Sequence, residues 1–486
     1  MSSGAPRWNW WVAAAAAVSV GLRLRFLTTP ISVDEAGALV VARSWAAGQH
    51  LYAEVFIDRP QGLLVLIRGW DAVFGPDLWA IRVLALVAGI VIVVAAATAA
   101  RAVAGRPAAA AVAAWMVAVI SASAAFEGHT ANGELLAGAF TVPAMALGAL
   151  VVTRRVGAHW LVAVGVLAVL GITVKQSAFD VAVAVGLWLV VAAWQRWRPR
   201  REVAAMAGWF ALGAGSTLIA VGVHGATFGW DDYAYALYGF RIHARSAVAG
   251  PQGGRFGVTL LIALPLLGPA VALAGAHLRT LERPLRSHAR PEHFLVLLWS
   301  TVSLAGFIAG GNYHRHYWIQ LTFPICILAA VALTTGPPTE PRALARTTAA
   351  ALALPLLISL ALIARPTLER DPRVAADASI ARWYEEQRSG PNQALLPLCA
   401  SVTWYLEAGQ PAQTPYLWVD HVRDGRNGVA GLVRLLDGPD RPAYLAMHQP
   451  AQRCDPTGGL QRAIDRHYRP AATVAGVEIL VADSGG

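Results

Sequence analysis

Ser32-Val33-Asp34-Glu35-Ala36 follows directly on an apolar run over residues 8–28, and the next polar turn is Asp58-Arg59-Pro60-Gln61-Gly62-Leu63-Leu64. Two adjacent carboxylates at the mouth of a hydrophobic segment are costly to keep near hydrocarbon, which marks them as candidates for function. On local chemistry alone, a solvated loop start explains them equally well. The rest of the chain has to decide.

Of the 486 residues, 56% are hydrophobic and only 14% charged, against roughly 25% charged in a soluble domain. This composition is that of an integral membrane protein. The net charge is +10, but the basic residues come in short clusters between apolar runs, without an aromatic-interleaved stripe. The excess therefore encodes topology and not nucleic-acid binding. Lys175 is the only lysine; the other basic residues are arginines, a bias that together with abundant alanine suggests a GC-rich bacterial genome.

A membrane-spanning helix needs about 20 apolar residues. Eleven stretches qualify: 8–28, 79–100, 108–125, 134–152, 159–174, 177–195, 203–224, 256–276, 292–309, 316–334 and 346–364. The first lacks a strongly basic leader and a small-residue cleavage motif, so it reads as a span and not a signal peptide. Arg101/Arg106, Arg154/Arg155, Arg196/Arg198/Arg200/Arg201, Arg279/Arg283/Arg286/Arg290 and Arg342/Arg346 fall in alternate loops. The positive-inside rule places those loops in the cytoplasm. The expected arrangement is a multi-pass protein of the bacterial cytoplasmic (inner) membrane, with its N-terminus inside and its C-terminus outside.

The first external loop, 29–78, carries Asp34, Glu35, Glu54, Asp58, Asp71 and Asp77 against Arg43, Arg59 and Arg68. Helical spacing over 35–48 and 61–74 predicts two helices lying along the membrane surface. After residue 365 the composition turns to Pro, Asp, Arg and Gln. An amphipathic helix at 374–388 and strands at Gln393–Ala400, Ala443–Met447 and Val474–Val481 make residues 366–486 a small extracytoplasmic α/β domain beside the transmembrane domain of residues 1–365. Cys326 lies in an apolar run. Cys399 and Cys454 lie in the tail, where a disulfide and two free thiols are both open; no metal-ligand spacing involves them.

Four motifs carry a resemblance: Asp34-Glu35 followed by a helix and Gly48…Tyr52; Asp58-Arg59-Pro60-Gln61-Gly62-Leu63-Leu64; Gly171-Ile172-Thr173-Val174-Lys175-Gln176 between two middle spans; and His316-Tyr317-Trp318-Ile319-Gln320-Leu321-Thr322-Phe323-Pro324 entering a late span. In this order and on this membrane side, the chain resembles the GT-C glycosyltransferases, in the branch of protein O-mannosyltransferases and lipid A aminoarabinose transferases. Arg59-Pro60-Gln61 departs from the commoner Lys-Pro-Pro of that branch. The implied fold is an all-α polytopic bundle of about eleven transmembrane helices, GT-C-like, with a small α/β C-terminal domain. The implied substrates are a polyprenyl-phosphate-linked sugar and a hydroxyl acceptor on a glycan, lipid or protein, met at the outer face.

Phosphate is a good leaving group, so this chemistry needs a carboxylate base for the hydroxyl and cations for the phosphate. The resemblance assigns the base to Asp34, with inversion at the sugar, and gives Glu35 the task of orienting the acceptor. Lys175, Arg59, Arg25 and His316 are the candidate phosphate contacts. A snorkelling lysine, an Asp58–Arg59 ion pair and an interfacial histidine are the plainer readings of Lys175, Arg59 and His316. Arg23 beside Arg25 shares the alternatives of phosphate contact and snorkelling. Glu134 and Asp58 are candidates for acceptor or metal binding. Asp34, Glu35 and Glu134 form an oxygen ligand set suited to Mg²⁺ or Mn²⁺. The polar, aromatic external loop from Asp231 to Arg245, and Trp404, Tyr405, Tyr416 and Trp418 in the tail, admit both an anchoring and a saccharide-binding role.

A transporter or flippase of lipid-linked sugars is the rival class. Transporters tend toward internal repeats and charges at the membrane midplane, whereas here the spans are nearly charge-free and the ionisable groups sit at their outer ends. An O-antigen-type polymerase or ligase, usually marked by a large late external loop, fits less well because the long loop comes first.

Overall fold

The computed structural model describes residues 7–247, 252–280, 290–335, 340–365, 372–388, 393–399 and 402–483. Each of the eleven apolar stretches is a helix: α1 (Arg7–Leu24), α4 (Leu78–Ala104), α5 (Pro107–Ser121), α6 (Gly133–Val152), α7 (Leu161–Val174), α8 (Asp180–Trp194), α9 (Arg200–Ala226), α12 (Gln252–Thr280), α13 (Pro291–Gly310), α14 (Tyr317–Thr335) and α15 (Pro341–Ile363). Seven of them (α4, α6, α9, α12, α13, α14 and α15) are long and apolar enough to cross a membrane, while α5, α7 and α8 are apolar but shorter. Backbone polar groups have no partner in lipid, so continuous helix is what these runs can form. Small residues set the closest crossings. A Cβ at Gly165 or Gly213 would overlap the partner's backbone where α7 crosses α9, the kind of contact that drives helix association where hydrophobicity cannot.

The first loop holds α2 (Val33–Ala46) and α3 (Gln61–Phe74). The sequence predicts both helices, and the structure shows that α2 is covered by protein. Ala36 through Ala42 are buried, because α2 lies between α3 and the C-terminal domain. Gly37 makes this possible: a Cβ there would overlap the Trp418 ring. At the other end of the loop, a Cβ on Gly62 would overlap Thr173. The Pro60-Gln61-Gly62 turn is thus the place where α3 meets the end of α7. Between α9 and α12, α10 (Trp230–Ala234), a π-helical turn (Tyr235–Gly239) and α11 (Phe240–Ala247) form a second polar loop on the same side.

The C-terminal region contains α16 (Pro372–Gln387), β1 (Leu395–Leu398), α17 (Val402–Glu407), α18 (Val419–Asp424), α19 (Gly428–Asp437), β2 (Tyr444–Met447), α20 (Gly459–His467), β3 (Tyr468–Val474) and β4 (Val477–Ala482). The sheet order is β1-β2-β4-β3, with β1 and β2 parallel and the other pairs antiparallel. The parallel pair needs a long crossover, which α17 to α19 supply. Ala475 and Gly476, both at positive φ, close the β3–β4 hairpin. Ala400, the end of the expected first strand, lies outside the described residues, as do residues 366–371 at the expected domain boundary. Cys399 and Cys454 are joined by a disulfide, with Cα atoms 5.9 Å apart.

This domain docks on the first loop. Phe56 N–H donates to Pro415 O (2.8 Å), Ala412 N–H donates to Ser44 Oγ (2.9 Å), and the Gln49 amide donates to Ala412 O (2.8 Å). Arg23 is fully buried. It donates to the carbonyls of Gly128 (2.7 Å) and Ser121 (3.0 Å), so it pins the α5–α6 connection and has no reach to a phosphate.

Candidate functional site

The site grows from the N-terminus of α2. Ser32 Oγ accepts from Glu35 N–H (3.2 Å) and Glu35 Oε2 accepts from Ser32 N–H (3.2 Å), a reciprocal capping box. Glu35 is buried, pairs with the equally buried Arg82 (2.9 Å), and accepts from Ala131 N–H (2.7 Å). Both its oxygens are engaged. It anchors α2 against α4 and the start of α6, and does not face outward to orient an acceptor as the sequence reading supposed. Asp34, one residue earlier, is exposed. Among the described residues its carboxylate accepts no hydrogen bond and forms no ion pair. Its charge is felt by Arg59 and by His314.

The Asp58-Arg59 turn lies beside it. Asp58 pairs with Arg59 (2.9 Å), with Arg241 of α11 (2.9 Å), and with His421 of the C-terminal domain (3.5 Å). Burial penalises the Asp58 charge, but the two guanidiniums and His421 outweigh it and hold the carboxyl far below the usual range. Burial likewise works against Arg59, and Asp58 more than restores its charge. Tyr52 O–H donates to Arg59 O (2.9 Å) and Gln176 donates to Asp58 O (3.0 Å), so both flanks of the turn are fixed. Gln61 accepts from Tyr233 O–H (2.7 Å) and donates to Val221 O (3.0 Å), tying the start of α3 to α9 and α10.

Beneath these residues, the Lys175 ammonium pairs with Glu134 and lies 4.1 Å from the Tyr317 ring centre. His316 bonds Glu127 through Nδ1 (2.6 Å), and its Nε2 lies 3.9 Å from Glu134. Burial opposes a charge on His316, but Glu134 and Glu127 together raise its pKa. His314 stacks parallel to His316 with centres 5.5 Å apart. It is pushed the other way, to about 4, by burial and by the nearby His316 and Arg255 charges. Arg255 donates to Asn312 O (3.2 Å); it and Arg315 are exposed at this mouth. Arg25 is exposed at the end of α1.

The structure thus gathers Asp34, Arg59, Glu134, Lys175 and His316, with Asp58 one residue from Arg59. It does not make a cation site of Asp34, Glu35 and Glu134: Glu35 is saturated by Arg82 and backbone donors, and Glu134 faces Lys175. Among the described residues no three His, Cys, Asp or Glu side chains are grouped as metal ligands. Sequence reasoning passed over Arg82, Arg255 and His421. Arg82 had a signal, as the one charge in the outer half of its apolar run. His421 had none, since its partner lies far back in the chain.

The family model for dolichyl-phosphate-mannose-protein mannosyltransferase matches residues 58–219. No curated protein sequence matches the chain. In fold, the chain is similar to ArnT from Cupriavidus metallidurans bound to undecaprenyl phosphate, with a TM-score of 0.65 at 15% identity, covering 99% of this chain and 100% of that one. It is also similar to the archaeal oligosaccharyltransferase AglB from Archaeoglobus fulgidus, in complex with an inhibitory peptide and a dolichol-phosphate, with a TM-score of 0.60 at 13% identity, covering 95% and 72%. The chain therefore has the GT-C fold that these structures share, and it is a multi-pass membrane protein.

Proposed function

We propose that the protein is a membrane glycosyltransferase that moves a sugar from a polyprenyl-phosphate donor to a hydroxyl acceptor at the outer face of the cytoplasmic membrane. The observation that carries this reading is the contrast within one dipeptide. Glu35 is locked in place by Arg82 and its capping box, while Asp34 is held exposed and unpaired, close enough to Arg59 for its charge to be felt there.

Asp34 takes the acceptor hydroxyl proton as that oxygen attacks the anomeric carbon. The bond from that carbon to the phosphate oxygen breaks, and its electron pair leaves with the polyprenyl phosphate. A single base and a single displacement give inversion at the sugar. Arg59, Arg255 and Arg315 meet the phosphate charge from the exposed side, with Arg25 as a further contact at the lipid edge. Lys175 and His316 form the layer below: they hold Glu134 and Glu127, and Lys175 reaches a phosphate only when Glu134 yields it. Asp58 fixes Arg59 in its rotamer. The residues supply the positive charge that this leaving group needs.

Purified protein in lipid, given a panel of polyprenyl-phosphate sugars and a membrane extract as acceptor source, tests the reading. One donor should release polyprenyl phosphate in an acceptor-dependent manner, and the product should carry the inverted anomer. Retention of configuration, or movement of a lipid-linked sugar across vesicles with no release, would point to another mechanism or to a transporter.

A further inference from the structure

A cavity of about 410 Å³ opens where the C-terminal domain meets both external loops. Three tyrosines from three distant segments belong to its lining: Tyr52 of the first loop, Tyr235 of the π-helical turn and Tyr416 of the C-terminal domain. Between them stand acceptors and donors in mixture. Asp232 as an acceptor, and Arg426, Arg434 and Asn427 as donors, belong to the lining together with Gln413. We infer that this cleft binds the saccharide portion of the acceptor, an inference that rests on the transferase reading above.

The chemistry of the lining selects the ligand class. An anion would call for donors alone, and an apolar chain would leave Asp232 and the Arg434 guanidinium facing it without polar partners. A polyhydroxyl ligand both donates and accepts, and it lays flat C–H faces on aromatic rings. The volume lies in the range of small-ligand sites. Arg426 and Asp232 pair at 3.9 Å, and Arg426 stacks 4.3 Å over the Tyr235 ring, so that wall is pre-organised. The Arg434 guanidinium has no ion pair or hydrogen bond among the described residues, which leaves its donors for a ligand.

The cleft is also wired to the site. Tyr52 lines it and donates its hydroxyl to Arg59 O, so a sugar seated there bears on the turn that carries Arg59. Tyr52 holds a positive φ of 72°, a conformation kept only where its surroundings over-determine it.

The test is saturation-transfer difference NMR on the full-length protein in lipid nanodiscs, with maltotriose, mannotriose, chitobiose and a serine-containing tetrapeptide as probes. At least one saccharide should receive saturation from the wild type. Gln413→Leu combined with Arg434→Ala should weaken it about tenfold, while Arg469→Ala, on the exposed face of β3, should not. Arg434→Ala alone is a surface change that keeps the test sound if the double variant unfolds. Asp34→Asn should still bind the saccharide. Equal binding by wild type and both cleft variants, no saccharide signal at all, or saturation of the peptide alone would overturn the inference. If Asp34→Asn transfers sugar normally while the cleft variants lose the saccharide, the base assignment fails and the cleft survives.

Discussion

Lys175 and Glu134 face each other where neither is easily exchanged alone. Both are buried, and removing one partner of a buried pair leaves an uncompensated charge, at a cost of about 3–5 kcal/mol. Lys175→Met and Glu134→Gln should each melt well below the wild type in detergent, and the double variant should recover part of the loss. Melting of either single variant with the wild type would mean that the pair is not holding these helices. His316 gives a pH-dependent counterpart. Its folded pKa is raised above the ordinary 6.5 against the pull of burial, so its contribution is complete below that pH and lost as pH climbs through the raised value. Glu127 is held below its ordinary 4.5, burial notwithstanding, chiefly by the His316 hydrogen bond and charge. Its share is present above that pH and lost on acidification. Thermal stability should therefore fall on the alkaline side, and His316→Asn should flatten that limb. An unchanged limb in the variant would sink this account of the histidine. Asp34, Lys175 and His316 were visible in the sequence because each is an ionisable residue at the end of an apolar run. The engagement of Glu35 was not, because Arg82 and the Ala131 amide that hold it are brought in only by tertiary packing.

At the scale of elements, α2 is the hinge of the design. Its existence was legible in the helical spacing over 35–48, but its start at Val33 is set by the Ser32–Glu35 capping box, and Ser32→Ala should cost about 1 kcal/mol. Its burial was not legible, since the covering Trp418 sits in another domain. Gly37→Val should push that ring away and loosen the docked domain, seen as faster proteolytic clipping after the transmembrane region. Clipping at the wild-type rate would show that the contact does not hold the domain down. Strand β3 was missed for a local reason. Arg469 and Pro470 break any apolar alternation, and proline is tolerated there because β3 pairs only with β4 at the edge of the sheet.

For the whole molecule, the eleven apolar stretches were readable because lipid enforces long uninterrupted helices, with boundaries set by charge and proline. Two of the arginine clusters sit at the ends of the helices opposite Asp34: Arg106 bonds Thr334 O at the far end of α14, and Arg198 bonds Val152 O at the far end of α6 (2.6 Å). A membrane-impermeant maleimide applied to intact cells should label Asp77→Cys and spare Arg155→Cys; the reverse pattern would invert the proposed orientation. The site itself is assembled by α2, α3, α6, α7 and the entry to α14, and closed by a domain from the end of the chain, so its members could be suspected singly but not joined from the sequence. The measurement that bears most directly on the account is acceptor-dependent release of polyprenyl phosphate by wild type beside Asp34→Asn, with donor binding measured in parallel. The account predicts a loss of about 10²–10⁴-fold in turnover for Asp34→Asn, with donor still bound. Turnover of Asp34→Asn at the wild-type rate would contradict it.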